Sequence, residues 1–209
     1  MVLGDLYRGS IERYLLVNDL LLEAMSSALL VVDVQHAFFE DPGLAHDADA
    51  VLGRITDLVA DARDAEVPVV YVQHDGESGH PAEVGTRGWE IADRIVPSDD
   101  EPVIRKRACD SFDDSDLGTV LRERDVERVV TVGFATEQCV DTTCRRALSE
   151  GFDVTLVSDA HTTVDRDDLP ATTTIVHHNA VLPTVVHPER AVTVLPSAEV
   201  AFDRSSTTV

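Results

Sequence analysis

The sequence predicts an α/β fold of three α/β/α layers, with a six-stranded parallel sheet covered by helices on both faces. Two observations carry this: six short β-branched runs recur along the chain, and amphipathic helical segments separate most of them. Alternation of such strands with helices implies a parallel sheet buried on both faces. Ahead of them, RYLLVNDLLLEAM at 13–25 is apolar enough to suggest a leader. Asn18, Asp19 and Glu23 interrupt it and no small-residue cleavage site follows, so it reads as an amphipathic helix. Residues 1–24 are expected to be an N-terminal extension or to reflect an upstream start-codon choice, and the domain is expected over 25–209.

The first strand is ALLVVDV at 28–34. In DAVLGRITDLVADARDA (49–65), Val51, Ile55, Leu58, Val59 and Ala62 share one helical face. VPVVYVQ (67–73) is the second strand and PVIRK (102–106) the third, separated by a long irregular stretch from His74 to Ser98 of the kind that is often functional. Next come a helix in SDLGTVLRERD (115–125), a strand in ERVVTVGF (127–134) and a helix in CVDTTCRRALSEG (139–151). A strand in FDVTLVS (152–158), a helix in TTTIVHHNAVL (172–182) and a strand in RAVTVLP (190–196) complete the series. No run is long enough to span a membrane as a helix.

Composition narrows the partners. With 39 Asp and Glu against 17 Lys and Arg the formal charge is −22, which repels phosphate backbones and anionic lipid surfaces. Neither nucleic acid nor membrane is an expected partner. The cations comprise 16 arginines and a single lysine, Lys106, beside 25 aspartates. That imbalance is of the halophilic kind, in which concentrated salt shortens the Debye length to a few ångströms and an acidic surface is tolerated. Cys109, Cys139 and Cys144 form no CxxC pair and no zinc spacing, so a reducing cytoplasm is expected.

In open parallel sheets the chemistry gathers at the carboxyl ends of the strands. Asp33 closes the first strand, Lys106 closes the third, and Cys139 follows the fourth. An acid ending an apolar buried strand costs several kcal/mol unless it is paired or solvated. Lys106 is the only lysine available to it.

DVQ at 33–35, a lysine followed six residues on by Phe112 in KRACDSF, and GFATEQCVDTT at 133–143 together resemble the isochorismatase-like cysteine hydrolases. GWEI at 88–91 and VSDAHTT at 157–163 extend the resemblance, which runs from about Ala28 through Val200. It implies a Rossmann-like isochorismatase fold with strand order 3-2-1-4-5-6. It also implies a Cys139–Asp33–Lys106 triad that cleaves a C–N bond of a small amide or carbamoyl compound through a thioester. Asp33 would move the proton, and Lys106 would hold both partners. A helix N-terminus and the ammonium are expected to depress the thiol pKa. The resemblance further implies a cis bond between Phe134 and Ala135, with the backbone amides of Ala135 and Cys139 as an oxyanion hole. In that order the third strand lies two places from the first, so Lys106 must reach across or its chain must bend inward.

Around that centre, Gln35, Phe38, Trp89 and Thr136 are the expected substrate-binding positions, with Gln35 either orienting Asp33 or capping the loop. Phe39 reads as packing. Cys144, about 140° around a helix from Cys139, reads as a core thiol, and Cys109 as loop packing. Nicotinamidases of this family carry an Asp-x-His metal motif between the second and third strands. Here His74, Asp75 and His80 stand in the wrong order, and adjacent His177 and His178 diverge on a helix, so no metal or other cofactor is expected. A homo-oligomer is expected. Two other readings stand beside the amidohydrolase: a vinyl-ether hydrolase of the isochorismatase type, which would not depend on Cys139, and a non-catalytic binding protein on the same fold.

Overall fold

The structure, a computed structural model, describes residues 25–40 and 44–202. Strands β1 (Ser27–Val32), β2 (Val69–His74), β3 (Val103–Lys106), β4 (Arg128–Phe134), β5 (Asp153–Thr162) and β6 (Val192–Leu195) form one sheet of order β3-β2-β1-β4-β5-β6. Every pairing is parallel. The expected helix at 13–25 lies outside the described residues apart from its last position.

Alternation along β1 decides the layers. Leu29 and Val31 face the side covered by α2 (Ala48–Asp64), where Val51, Leu52, Ile55, Leu58, Val59 and Ala62 all pack into one core. Ala28, Leu30 and Val32 face the opposite side. There they meet Leu117 and Leu121 of α3 (Leu117–Arg122), and Cys144, Ala147 and Leu148 of α4 (Asp141–Ser149). A four-residue α1 (His36–Phe39) follows β1, and α5 (Ala171–Val181) precedes β6.

Two elements differ from the sequence reading. β5 continues to Thr162 rather than ending at 158, because His161 and Thr162 pair with Gly133 and Phe134 after a register shift. The polar residues Asp159 and His161 hide that extension from a hydrophobic pattern. The helix expected from Cys139 begins instead with a π-helical turn, Thr136–Val140, in which the Val140 N–H reaches back five residues to the Ala135 carbonyl at 3.1 Å. Regular α geometry starts only at Asp141.

Candidate active site

Where β1 ends, Asp33 takes a left-handed turn (φ 52°), a conformation Asp tolerates better than most residues, and its N–H donates to the Val72 carbonyl at 2.9 Å. Lys106 ends the edge strand β3, paired in register with His74 of β2. Its side chain reaches across the end of β2, and its ammonium donates to Asp33 Oδ2 at 2.7 Å, Cys139 Sγ at 3.1 Å and the Ala108 carbonyl at 3.0 Å. All three N–H bonds of the ammonium are thereby used. The geometric question left by the strand order is answered by reach.

Cys139 is brought to this point by the π turn and by Gly133. The Gly133 backbone has φ 124°, and a Cβ there would lie 1.9 Å from the Val32 carbonyl oxygen, so β4 can lie this close to β1 only with glycine. The bond from Phe134 to Ala135 is cis.

Burial shapes the charges. The Lys106 side chain is 0% exposed and that of Asp33 3%. Desolvation alone would lower the Lys106 pKa, but Asp33 and Cys139 outweigh it and hold the ammonium above its ordinary value. For Cys139, burial and then the Asp33 carboxylate push the thiol up, and Lys106 only partly opposes them. This corrects the expectation of a depressed thiol pKa. Asp33 Oδ1 is buried without a hydrogen-bond partner among the described residues.

The other expected residues divide. Gln35 is fully buried, and its amide serves the backbone: Nε2 donates to the His74 and Trp89 carbonyls at 3.0 and 2.7 Å, and Oε1 accepts from the His74 N–H at 3.0 Å. It braces the strand ends rather than touching Asp33. Phe38 stacks on Phe134 (centroids 4.5 Å) and meets His80 edge-on, beside the cis bond. Phe39 packs edge-on against Phe134. Trp89 Nε1 donates to Asp75 Oδ1 at 2.9 Å, Arg105 lies over its ring, and it lines a separate hollow with Gln73, Arg87 and Val103. Thr136 is fully buried, with Oγ1 2.8 Å from His161 Nδ1. His161 Nε2 in turn meets Asn179 Oδ1 at 2.9 Å, and Asn179 Nδ2 donates to the Ser158 carbonyl. That chain ties the π turn to β5 and α5. Sequence reasoning missed it; the signal available was a histidine inside VSDAHTT and an asparagine two residues after His177 in the following helix. Cys144 is fully buried and Cys109 exposed.

A cleft of about 770 Å³ is lined by His74, Asp75, Gly76, Glu77, Ser78, His80, Val84 and Arg107; it adjoins the triad through His74, the register partner of Lys106, and the triad side chains themselves are not in its wall. The rings of His74 and His80 meet at 5.1 Å. His74 feels both Asp33 and Lys106, and burial lowers its pKa. His74, Asp75 and His80 do not converge as ligands: Asp75 is held by Arg105 and Trp89, and His80 Nδ1 accepts from the Ala82 N–H. Among the described residues, the His/Cys/Asp/Glu group close enough to share an ion is His36, Glu40 and Asp93. Asp93 is already paired there with Arg87, whose charge opposes a cation.

An isochorismatase-domain family model matches residues 27–184. Streptothricin hydrolase of Streptomyces noursei is 43% identical over 138 residues, covering 66% of this chain and 55% of that protein. The chain spans about half the length of the curated relatives it matches first. Among solved structures, an isochorismatase of Pseudomonas putida superposes with a TM-score of 0.75 at 26% identity, covering 84% of this chain and 90% of that one. N-carbamoylsarcosine amidase of Thermoplasma acidophilum gives 0.69 at 26% identity, covering 84% and 99%.

Proposed function

Since the chain belongs to the isochorismatase family, we propose that it is a cysteine hydrolase cleaving the C–N bond of a small amide or carbamoyl compound through a thioester on Cys139. One observation carries the reading: a buried lysine whose ammonium bridges an aspartate and a cysteine drawn from three separate elements. The amide chemistry is supported by similarity to streptothricin hydrolase and N-carbamoylsarcosine amidase.

The steps follow from the charges. As Sγ attacks the substrate carbonyl carbon, its proton passes to Asp33, whose Oδ1 is free to take it. The former carbonyl oxygen becomes an oxyanion, for which the Ala135 and Cys139 amides serve as donors; the Ala135 N–H has no other acceptor among the described residues. Collapse breaks the C–N bond, the amine leaves with the proton held by Asp33, and a thioester remains. Water, deprotonated by Asp33, attacks the thioester; the acid departs and Sγ recovers its proton. Lys106 stays charged throughout, so the site stays near neutrality as the proton moves. No metal enters these steps.

We extend the reading to a homo-oligomer in a salt-rich, reducing cytoplasm. Val176 on α5 and Val186 after it, 67% and 93% exposed, support an interface between copies, and three free cysteines suit that compartment. No helix among the described residues is long and apolar enough to cross a membrane.

The test is amine release from a panel of small amides by the wild type and by Cys139→Ala. Loss of release in a folded variant supports the reading. Undiminished release would move the assignment to chemistry that does not use the cysteine, such as vinyl-ether hydrolysis, and an inert wild type would favour a binding role.

A further inference from the structure

Arg107 stands out among the described arginines. Twelve others each hold a hydrogen bond or ion pair within the chain. Arg107 has no such partner among the described residues, in a chain with 39 acids, and it is exposed on the wall of the cleft beside the triad. Its place is set by the sheet: β2 and β3 pair His74 with Lys106, so Arg107 leaves β3 one residue beyond the catalytic lysine.

A second polar group in the same cleft also lacks a partner. His74 Nδ1 is buried without a hydrogen bond among the described residues, while the His74 backbone is clamped on both sides by Gln35. Gly76 lets the following loop fold back, since a Cβ there would lie 2.4 Å from His80 Nδ1, and that fold sets His80 against His74. Lys106 cannot serve a ligand, because Asp33, Cys139 and the Ala108 carbonyl take its three N–H bonds. Of the two acids in the cleft, Asp75 is held by Arg105 and Trp89, which leaves Glu77 as the free carboxylate.

Resting on the hydrolase reading, we infer that Arg107 and His74 form the specificity subsite, which selects amides carrying a carboxylate a few bonds from the scissile carbonyl. The guanidinium takes the carboxylate through paired N–H bonds and the imidazole donates one more, while the Glu77 carboxylate in the same cleft repels the incoming anion. A cleft of about 770 Å³ holds a ligand of this size.

Binding tests this without turnover. In Cys139→Ala, and again in Cys139→Ser, calorimetry at about 1 M salt, where the Debye length is about 3 Å, would compare succinamate with its neutral relative butyramide and cationic 4-aminobutyramide. The expected result is succinamate bound at least about tenfold more tightly than butyramide. Arg107→Gln reduces that preference to near unity, and Glu77→Gln increases it. Equal binding of the two, a preference unmoved by Arg107→Gln, or tighter binding of 4-aminobutyramide overturns the assignment. Charge selectivity with no hydrolysis by the wild type would sink the hydrolase reading alone; hydrolysis without charge selectivity would sink the subsite alone.

Discussion

Replacing Lys106 by methionine keeps an unbranched side chain without the terminal ammonium, which makes it the sharpest perturbation of the triad. The lost ammonium contributes 2.7, 3.0 and 3.1 Å contacts to Asp33, the Ala108 carbonyl and Cys139. What remains is a carboxylate 3% exposed, one of whose oxygens already lacks a partner. Removing one member of a buried pair costs about 3–5 kcal/mol. With a urea slope of about 2 kcal/mol/M, the unfolding midpoint falls by roughly 1.5–2.5 M. The assay is urea unfolding in molar salt for Lys106→Met, Asp33→Asn and the double variant. Asp33→Asn leaves the ammonium as the uncompensated charge, so each single change costs much and the double change costs at least about 2 kcal/mol less than their sum. Additivity to within about 0.5 kcal/mol, or a loss below about 1 kcal/mol for Lys106→Met, would refute the idea that these charges hold each other in the fold.

Other consequences follow from the same geometry. Gly133→Ala places a methyl 1.9 Å from the Val32 carbonyl at φ 124° and is expected to cost about 3 kcal/mol or more, whereas Gly79→Ala, at φ 86° with open space around it, costs about 1–2 kcal/mol; urea midpoints compare them. Burial, only partly opposed by Asn179, lowers the His161 pKa from 6.5 to about 4. The unfolded chain therefore takes up this proton first, so the His161 contribution is complete above about pH 6.5 and is lost as pH falls toward 4, a swing of about 3 kcal/mol. His161→Gln should flatten that limb of the stability profile. With Cys109 and Cys144 changed to serine, alkylation of Cys139 by iodoacetamide should keep accelerating above about pH 9, because burial and Asp33 hold the thiol protonated; a plateau below pH 8 would contradict this.

Much of the fold was legible because most strands are centred on β-branched apolar runs and α2 presents a stripe of apolar residues on one face. β5 was cut short because Asp159 and His161 carry no hydrophobic signal, although pairing with Gly133 and Phe134 extends the strand. The sequence singled out Asp33, Lys106 and Cys139, and their side chains meet. Lys106 was conspicuous as the single lysine, but its path across β2 is a matter of reach that spacing does not encode. The depressed thiol pKa expected from a helix end failed for two reasons: a π turn replaces the first helical turn, and burial beside a carboxylate outweighs the ammonium. The hold on Trp89 was not legible, because its contacts with Asp75 and Arg105 are made only once β3 lies beside β2. His74 was passed over as a loop residue; its proximity to the triad comes from its register with Lys106.

The central claim is that Cys139 carries the acyl group. The most direct measurement is intact-mass and peptide analysis of protein quenched in acid during turnover of a small amide, with hydroxylamine present in a parallel reaction. The account predicts an acyl adduct confined to the peptide bearing Cys139, and hydroxamate formed in step with amine release. Turnover at an unchanged rate with neither adduct nor hydroxamate would contradict it.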